Sequence, residues 1–374
     1  MLFHCVTKHI NGLDIFKYNL KMSRWYVLLE ETINGIFNKK GDYIMKEKVM
    51  LTGVRPSGNL TLGNYLGAIK NFVDRQDAYN SYIFIADLHA ITSPQNPQKL
   101  KEAVYNCVAM YLACGIYPSK TIVFKQSDVL EHGTLGFIMT FQTKMGELSR
   151  MTQFKYKSLA QSKAGVDTGL FVYPTLMVAD ILLYNTSIVP VGKDQQQHME
   201  LTRDLAERFN KRYGNTFLLP DVYIAPVGNK ILNLQNPLEK MNKSDNGDNK
   251  GTIFLMDDVE IAKKKIMSAK TDSIARVHFD EENQPGISNL MSILSKITGE
   301  SFESIENRYK GKGYGEFKRE VAEVVGNLLK EIQARYEKFN DKKLLDKILY
   351  DGACKAQIVA SETLKRATKA LGLN

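Results

Sequence analysis

The stretch that decides the fold runs from residue 48 to residue 69 and reads KVMLTGVRPSGNLTLGNYLGAI. Its first part, 48–53, is apolar and predicts a short β-strand. A turn at 54–59 contains glycine and proline, and residues 61–69 then open a predicted helix. A turn between a strand and a helix is a candidate nucleotide cradle, because the helix N-terminus offers unpaired N–H groups and the positive end of the helix dipole.

This turn does not match the common phosphate-binding motifs. Gly53 and Gly58 have the spacing of the first half of a P-loop, but Asn59 and Leu60 follow where Lys and Ser or Thr are required. The dinucleotide pattern G-x-G-x-x-G is missing as well. Taken alone, such a turn is more often an ordinary connection between a strand and a helix, so its function depends on the rest of the chain.

The alternation of strand and helix continues along the chain. Residues 81–87 and 121–125 predict two further strands, and residues 97–113 between them show the helical spacing of apolar residues. Alternating strands and helices indicate a parallel sheet. In such sheets ligands bind at the carboxyl ends of the strands, which is where the turn at 54–59 lies.

The last third of the chain reads differently. From about residue 257 the apolar spacing is helical, and amphipathic helices are predicted at 317–339 and 355–373. We therefore predict an α/β fold, with a Rossmann-type, parallel-sheet catalytic domain at 46–250. An α-helical C-terminal domain is predicted to follow at 251–374.

The composition is that of a globular protein with a basic charge balance. The formal net charge is +9, which suits a polyanionic partner such as a nucleic acid but does not establish one. The four cysteines form no CxxC pair and no cluster with histidine, which argues against a zinc site. No apolar run reaches the ~18 residues of a membrane span. We expect a protein without a membrane segment in a reduced, cytoplasmic compartment.

Residues 1–45 stand apart from the body of the chain. Their aromatic and apolar residues follow no clean period, and they lack the layout of a signal peptide. Met45 precedes the first predicted strand by three residues. We expect translation to start near Met45, so that 1–45 is a mis-assigned start or a poorly ordered extension.

A second loop, far along the chain, can act together with the turn at 54–59. Residues 237–247 read PLEKMNKSDNG and place Lys240 and Lys243 three positions apart. By itself, such a loop is more often a solvated surface segment. Together, a helix opened by a glycine turn and a Lys-x-x-Lys loop about 180 residues later can hold the two ends of one nucleotide, with the ammonium groups at its phosphates.

This pair of segments resembles the two signatures of the class I aminoacyl-tRNA synthetases. Residues 61–64, TLGN, stand where that class has its HIGH signature, and residues 240–244, KMNKS, match the KMSKS signature with Asn242 in place of the middle serine. Within the class, the chain resembles the bacterial tryptophanyl enzymes from about residue 48 to the C-terminus. Four more segments carry this resemblance, at 151–155, 173–184, 189–195 and 285–290.

The resemblance implies an enzyme that activates L-tryptophan with ATP to tryptophanyl-adenylate and pyrophosphate, then transfers tryptophan to tRNA(Trp) and releases AMP. ATP is expected to carry Mg²⁺, with no metal site built from protein ligands. The resemblance also implies a homodimer and contact between the tRNA anticodon and the helical domain at 251–374.

The nucleotide site follows from the signatures. The protein needs no nucleophile of its own, but it must align the reactants and stabilise charge on the phosphates. The catalytic positions implied are Asn64, Lys157, Lys240 and Lys243. The ATP-binding positions implied are Arg55, Pro56, Ser57, Gly63, Asn64, Gly192, Lys193, Asp194, Ile231, Lys240, Met241, Asn242, Lys243 and Ser244. Asn242 is bulkier than serine, and we expect activity to survive this departure because both lysines remain. Lys193 stands where an acidic residue is common in the family, and we expect it to alter the local field near ATP.

The amino-acid pocket is predicted around Asp180, a lone carboxylate in the apolar run 176–183. Pro174 is predicted at the first position of this helix. A buried carboxylate needs a donor, and the indole N–H is only a donor, so Asp180 favours tryptophan. From the residues alone, Asp180 could instead pair with a neighbouring helix. The resemblance implies a tryptophan site formed by Asp180, Tyr173, Met177, Gln195 and His89, with Tyr173 and Gln195 at the α-ammonium group.

Three other functions remain open at this point. A tyrosyl enzyme would need a pocket for a phenolic hydroxyl, which both donates and accepts. A small-molecule nucleotidyltransferase of the same fold would not bind tRNA, and the basic body and the long helical part argue against it. An inactive synthetase-like RNA-binding regulator is disfavoured because Lys240, Lys243, Asn64 and Asp180 are all present.

Overall fold

The computed structural model describes residues 48–56, 59–161, 165–192, 195–224, 230–241 and 250–373. The expectation for residues 1–45 lies outside these ranges. Within them, no helix combines the length and apolar character needed to cross a membrane.

Five parallel strands form one sheet in the described part of the chain. They are β1 (Val49–Val54), β2 (Asn80–Ile85), β3 (Thr121–Lys125), β4 (Ile188–Val191) and β5 (Asp221–Ile224). Their spatial order is β3-β2-β1-β4-β5, and every neighbouring pair is parallel. The chain builds outward from β1 in one direction and then in the other, which is the doubly wound arrangement. The predicted Rossmann-type α/β fold is confirmed.

Helices connect and cover the strands. They are α1 (Leu62–Asn64), α2 (Lys70–Val73), α3 (Asp87–Ala90), α4 (Pro97–Ala113), α5 (Glu131–Thr140), α6 (Met145–Ser149), α7 (Thr152–Gln161), α8 (Thr168–Leu182), α9 (Gln196–Tyr213), α10 (Val259–Met267), α11 (Pro285–Thr298), α12 (Phe302–Arg308), α13 (Tyr314–Phe339) and α14 (Lys342–Ala370). A π-helical turn, Tyr65–Ile69, joins α1 to α2, and a 3₁₀ turn, Gln126–Asp128, follows β3. The prediction of a helix at 97–113 is confirmed by α4, which begins at Pro97 with Asn96 as its cap.

The two faces of the sheet follow from the alternation of side chains along the strands. Leu51 and Tyr82 face a core shared with α5, α8 and α9. Met50 and Ile83, one position away in each strand, face a second core shared with α4. Both faces are therefore buried, as expected for a parallel sheet whose connections are helical.

The last helix returns to the sheet. A Cβ atom at Gly352 of α14 would lie 1.9 Å from the carbonyl oxygen of Val123, so only glycine lets the helix backbone approach the edge strand β3 this closely. The helix thereby covers a sheet edge that would otherwise be exposed. The predicted domain division at residue 250 stays a prediction. Helix α14 belongs to the predicted helical domain, but it packs on the edge strand β3 of the sheet.

A third core joins the first signature to the helices α10–α13. Leu62 and Leu66 pack there with Ile231 and with Met241 of the second signature. Backbone hydrogen bonds reinforce the contact, because the Leu62 N–H donates to the Ile253 carbonyl over 2.8 Å. The start of the first signature helix is therefore held in place by residues about 190 positions later in the chain.

Candidate active site

Three predicted site residues, together with Gln126, lie at one edge of the sheet. Arg55 directly follows β1, His89 lies in α3 just after β2, Gln126 directly follows β3, and Gly192 follows β4. Because all strands are parallel, these positions share the carboxyl edge, where ligands of open α/β sheets bind.

At the buried end of this edge, Asp180 on α8 is surrounded by donors. Its exposed fraction is 1%. Its Oδ2 atom lies 2.7 Å from His89 Nε2, and its Oδ1 atom accepts hydrogen bonds from Gln126 Nε2 at 2.7 Å and His132 Nδ1 at 2.6 Å. We call Asp180, His89, Gln126 and His132 the tryptophan end, after the substrate that the sequence predicts for Asp180. The helix-pairing alternative for Asp180 is thus partly right, because protein donors already hold the carboxylate.

These donors keep the carboxylate ionised. Burial by itself raises the pKa of Asp180, but the charge and hydrogen bonds of His89 and His132 outweigh it and lower that pKa from 3.8 to about 2. An ionised carboxylate only accepts hydrogen bonds, so both histidines must present an N–H to it.

Two of these donors were not predicted from the sequence. Gln126 and His132 are both completely buried, and the other ring nitrogen of His132 lies 2.7 Å from the hydroxyl oxygen of Tyr184. The rings of Phe84 and Phe124 flank His132 with centroid separations of 5.6 and 5.9 Å. Gln126 could have been found, since it directly follows a predicted strand, but no local pattern distinguishes His132.

The remaining predicted tryptophan-site residues lie around this cluster. Tyr173 makes an edge-on contact with the ring of His89, with centroids 6.1 Å apart, and its hydroxyl lies 2.9 Å from His198 Nε2. Burial raises the pKa of Tyr173 to about 12, so the hydroxyl stays protonated. Met177 is half-buried against the core, and Gln195 immediately precedes α9.

The prediction that Pro174 starts its helix is wrong. Helix α8 begins at Thr168, and Pro174 lies inside it. Proline removes one backbone donor from the helix interior, a loss that the packing of α8 against α5 and α9 tolerates. Gly136 of α5 shows how close this packing is, because a Cβ atom there would meet the Leu176 backbone at 3.2 Å.

Positive charge collects at the outer side of the site. The Lys157 ammonium lies 5.5 Å from the centre of the Tyr173 ring. Burial, followed by the charge of nearby Arg55, lowers the pKa of Lys157 from its ordinary 10.5. Lys240 is exposed, and within the described ranges neither Lys157 nor Lys240 has a carboxylate at ion-pair distance. We call Arg55, Lys157 and Lys240 the phosphate end, after the role that the sequence predicts for them.

The two signature segments lie against each other. A Cβ atom at Gly63 would meet the Cβ atoms of Met241 at 3.3 Å and Ile231 at 3.6 Å, so the glycine allows this close approach. The Met241 N–H donates to the Ile231 carbonyl over 3.1 Å. Asn64 caps the helix, because its Oδ1 accepts from the N–H and hydroxyl of Thr61 at 3.0 and 3.1 Å. Its backbone N–H donates to the Thr61 hydroxyl oxygen over 3.1 Å, and its side-chain nitrogen Nδ2 makes no hydrogen bond to another described residue.

The other predicted ATP-binding positions divide into two groups. Pro56 is buried beneath the first turn, and Gly192 is exposed at the end of β4. Outside the described residues lie Ser57, Lys193, Asp194, Asn242, Lys243 and Ser244. In the part of the chain that the structure describes, no group of three or more His, Cys, Asp or Glu side chains could hold a metal ion.

Comparison with known proteins agrees with the geometry. The family of class I tRNA synthetases (W and Y) matches residues 45–330. A tryptophan–tRNA ligase of Halalkalibacterium halodurans is 53% identical over 327 residues, which cover 87% of this chain and 98% of the relative. The crystal structure of Mycoplasma pneumoniae tryptophanyl-tRNA synthetase has a TM-score of 0.78 and 39% identity over 87% of this chain and 98% of that one.

A further solved structure carries ligands. Tryptophanyl-tRNA synthetase of Campylobacter jejuni, in complex with ADP and tryptophan, has a TM-score of 0.72 and 38% identity, and covers 87% of this chain and 100% of its own. Sequence, fold and site geometry therefore lead to one assignment. This chain belongs to the class I aminoacyl-tRNA synthetases, in the family of the tryptophanyl and tyrosyl enzymes.

Proposed function

We infer that this protein is a tryptophan–tRNA ligase. The carboxylate of L-tryptophan attacks the α-phosphorus of ATP, so that pyrophosphate leaves and tryptophanyl-adenylate forms. A hydroxyl of tRNA(Trp) then attacks the carbonyl carbon of the adenylate, and AMP leaves. The curated relatives, which this chain matches over nearly their whole length, support this activity. The observation in the site that carries it is the buried, ionised Asp180 at the carboxyl edge of the sheet.

Asp180 favours tryptophan over tyrosine. The indole N–H is a donor only, and an ionised carboxylate is an acceptor only, so the two are complementary. The hydroxyl of tyrosine would also need a donor. We assign Met177 to the apolar contact with the indole ring, and Tyr173 and Gln195 to the α-ammonium group. A hydroxyl has two lone pairs, so Tyr173 can accept from the ammonium group while it bonds His198.

The phosphate end supplies charge to the triphosphate. We propose that the β- and γ-phosphates are bound by Lys157, Lys240 and Lys243. Arg55, directly after β1, is proposed to bind the same phosphates. Activation needs alignment of the reactants and neutralisation of charge in place of a protein nucleophile. Lys157 and Lys240 suit this task because neither has a carboxylate at ion-pair distance within the described ranges. The Asn64 Oδ1 atom already accepts hydrogen bonds from Thr61 at the start of α1. We therefore assign the nucleotide contact to the side-chain nitrogen Nδ2 of Asn64.

Mg²⁺ is proposed to enter with ATP. Magnesium usually keeps several waters and binds substrate phosphates together with only one or two protein carboxylates. The cationic character of the phosphate end fits a metal carried by the nucleotide, since a dedicated protein site would need carboxylates there. Its chemistry would be to neutralise the leaving pyrophosphate.

We also propose that the enzyme is a homodimer in the cytoplasm. An apolar strip on α5 and the turn beyond it supports the dimer, because large side chains that are exposed there suit a subunit interface. The strip consists of Leu130, Phe137, Phe141 and Met145. Sedimentation of the full chain would show a dimer, and Phe137→Ser with Phe141→Ser would show a monomer. An unchanged dimer in that variant would place the interface elsewhere.

The first test is pyrophosphate–ATP exchange in the presence of tryptophan or of tyrosine, followed by charging of tRNA(Trp). Exchange with tryptophan only, together with charging, is the expected result. Exchange with tyrosine would keep the enzyme class and reject the assignment of Asp180. Exchange without charging would point to a nucleotidyltransferase. Retained RNA binding without ATP binding would point to an inactive regulator.

A further inference from the structure

The hydrogen bonds of Asp180 use its two oxygens unequally. Within the described ranges, Oδ1 accepts from Gln126 Nε2 and His132 Nδ1, whereas Oδ2 accepts from His89 Nε2. Each carboxylate oxygen offers about two acceptor positions. Oδ1 is therefore saturated by the protein, and one acceptor position remains on Oδ2, beside His89. A donor in the tryptophan slot can reach the carboxylate at that position alone.

The saturation of Oδ1 depends on which nitrogen of His132 carries the proton. A neutral imidazole has one donor and one acceptor nitrogen, and the partner of the second nitrogen decides which is which. Nε2 lies 2.7 Å from the Tyr184 hydroxyl oxygen. Tyr184 is buried, and burial followed by the charge of Asp180 raises its pKa well above the ordinary value, so the phenol keeps its proton. A Tyr184 hydroxyl that donates to Nε2 leaves the ring proton on Nδ1, facing Asp180.

We propose that His132 and Tyr184 are positioning residues of the tryptophan site. Tyr184 holds His132 in the tautomer that donates to Asp180 Oδ1, and this bond directs the remaining acceptor position of Oδ2 to the indole N–H. Neither residue contacts the substrate; both act through Asp180. The inference rests on the proposed function, and it assigns part of the selectivity for tryptophan to two side chains behind the carboxylate.

The geometry predicts how this selectivity responds to the substrate. An amino acid in which sulfur replaces the indole N–H, β-(3-benzothienyl)alanine, has nearly the shape of tryptophan but no donor. It leaves the open position of Oδ2 unpaired, so the wild type should prefer tryptophan in kcat/KM by about a hundredfold. That preference, the ratio of the two kcat/KM values, measures how well Asp180 is presented to the substrate.

The test is amino-acid-dependent pyrophosphate–ATP exchange by the full chain with these two substrates. Tyr184→Phe removes one hydroxyl and should lower the preference about tenfold, through kcat/KM for tryptophan only. His132→Phe keeps the ring and removes both nitrogens, and should lower the preference at least as much. Thr186→Val is the matched control, because Thr186 is buried two residues after Tyr184 and, within the described ranges, its hydroxyl donates to the Ile181 carbonyl and to no other group.

The outcomes separate positioning from stability and from the function itself. A merely structural role of Tyr184 would reduce kcat/KM for both substrates alike, and that result would overturn the proposal. So would an unchanged preference in both variants. If Tyr184→Phe does not fold, His132→Phe alone decides between the same two results. A wild type that shows no exchange with tryptophan rejects the proposed function, which is a different result from an unchanged preference.

Discussion

The tryptophan end and the phosphate end of this site are built in opposite ways. At the tryptophan end, Asp180 is buried and held by three protein donors. At the phosphate end, Lys157 and Lys240 have no carboxylate partner in the described ranges. At the buried end, protein donors hold the carboxylate before any substrate arrives and leave one acceptor position open on Oδ2. At the outer end, the charges of Lys157 and Lys240 are left for a substrate to neutralise.

The difference reflects two tasks. Selecting one side chain among similar ones requires a polar group of fixed orientation, because an unpaired group in a dry slot is costly. Binding a triphosphate requires net positive charge, which internal ion pairs would cancel. A buried network therefore suits the recognition of tryptophan, and unpaired cations suit the nucleotide.

The largest effect is expected for Asp180→Ala. The change removes the proposed acceptor for the indole and leaves two buried donors, Gln126 and His132, and the partly buried His89 without this partner, so exchange with tryptophan should fall by at least about a thousandfold. The free energy of unfolding, measured by urea denaturation, should fall by about 3–5 kcal/mol. Asp128→Ala is the control, since its ion pair with Lys125 is about one-third exposed and should contribute at most about 1 kcal/mol. Similar losses in both variants would contradict the contrast between the two ends.

Lys157→Ala tests the phosphate end. Loss of a cation that stabilises the leaving phosphates should lower kcat/KM for ATP about a hundredfold. Tryptophan binding, measured by calorimetry without ATP, should change little. Lys155→Ala on the same helix is the matched control, because its side chain is exposed. An equal loss in both variants would mean that only the net charge of the helix matters.

A smaller effect is expected for Gly63→Ala, which acts where the two signatures meet. The added methyl group would lie 3.3 Å from the Met241 Cβ atom, so the second signature segment must shift by a few tenths of an ångström. Overpacking of this kind typically costs about 1–3 kcal/mol. If the cost falls on ATP binding, KM for ATP should rise about tenfold. KM for tryptophan should stay the same. An equal rise in the two KM values would show that the ends are coupled through α1.

The smallest effect concerns pH. The pKa of Lys157 is lowered below 10.5, so its ammonium group loses the proton at a lower pH than an ordinary lysine does. KM for ATP should therefore begin to rise at a lower alkaline pH than an ordinary lysine would produce. Lys157→Arg should move this rise to higher pH, because arginine stays charged. A pH profile identical in both proteins would remove Lys157 from ATP binding.

Much of this site could be predicted because it lies in contiguous segments. The turn after β1 and the run around Asp180 were identified from the residues, and the segment of Lys240 from its pairing with the first signature. Met241 and Gly63 do lie together. The roles assigned to Lys243 and Asn242 stay predictions. The contact of His132 with Asp180 could not be predicted in the same way, since His132 is 48 positions away in the chain and no local pattern distinguishes it.

Helix α14 was also predicted only in part. Its predicted part, 355–373, followed the apolar spacing, but the helix begins at Lys342 and runs through Gly352. Glycine disfavours a helix by about 1 kcal/mol relative to alanine, so the local pattern argues for a break there. Contact with the β3 backbone requires glycine at this point, and that contact is visible only once the chain is folded.

By itself, the sequence determined the alternation of strands and helices, the two signatures and the identity of the buried acceptor, because each is written in residues that are close along the chain. Only the tertiary structure decided which donors hold Asp180, that α14 covers the edge of the sheet, and that the two signatures share one core. The physical reason is that periodicity and capping are local, whereas hydrogen-bond partners in a parallel sheet come from crossovers that bring distant segments to one edge.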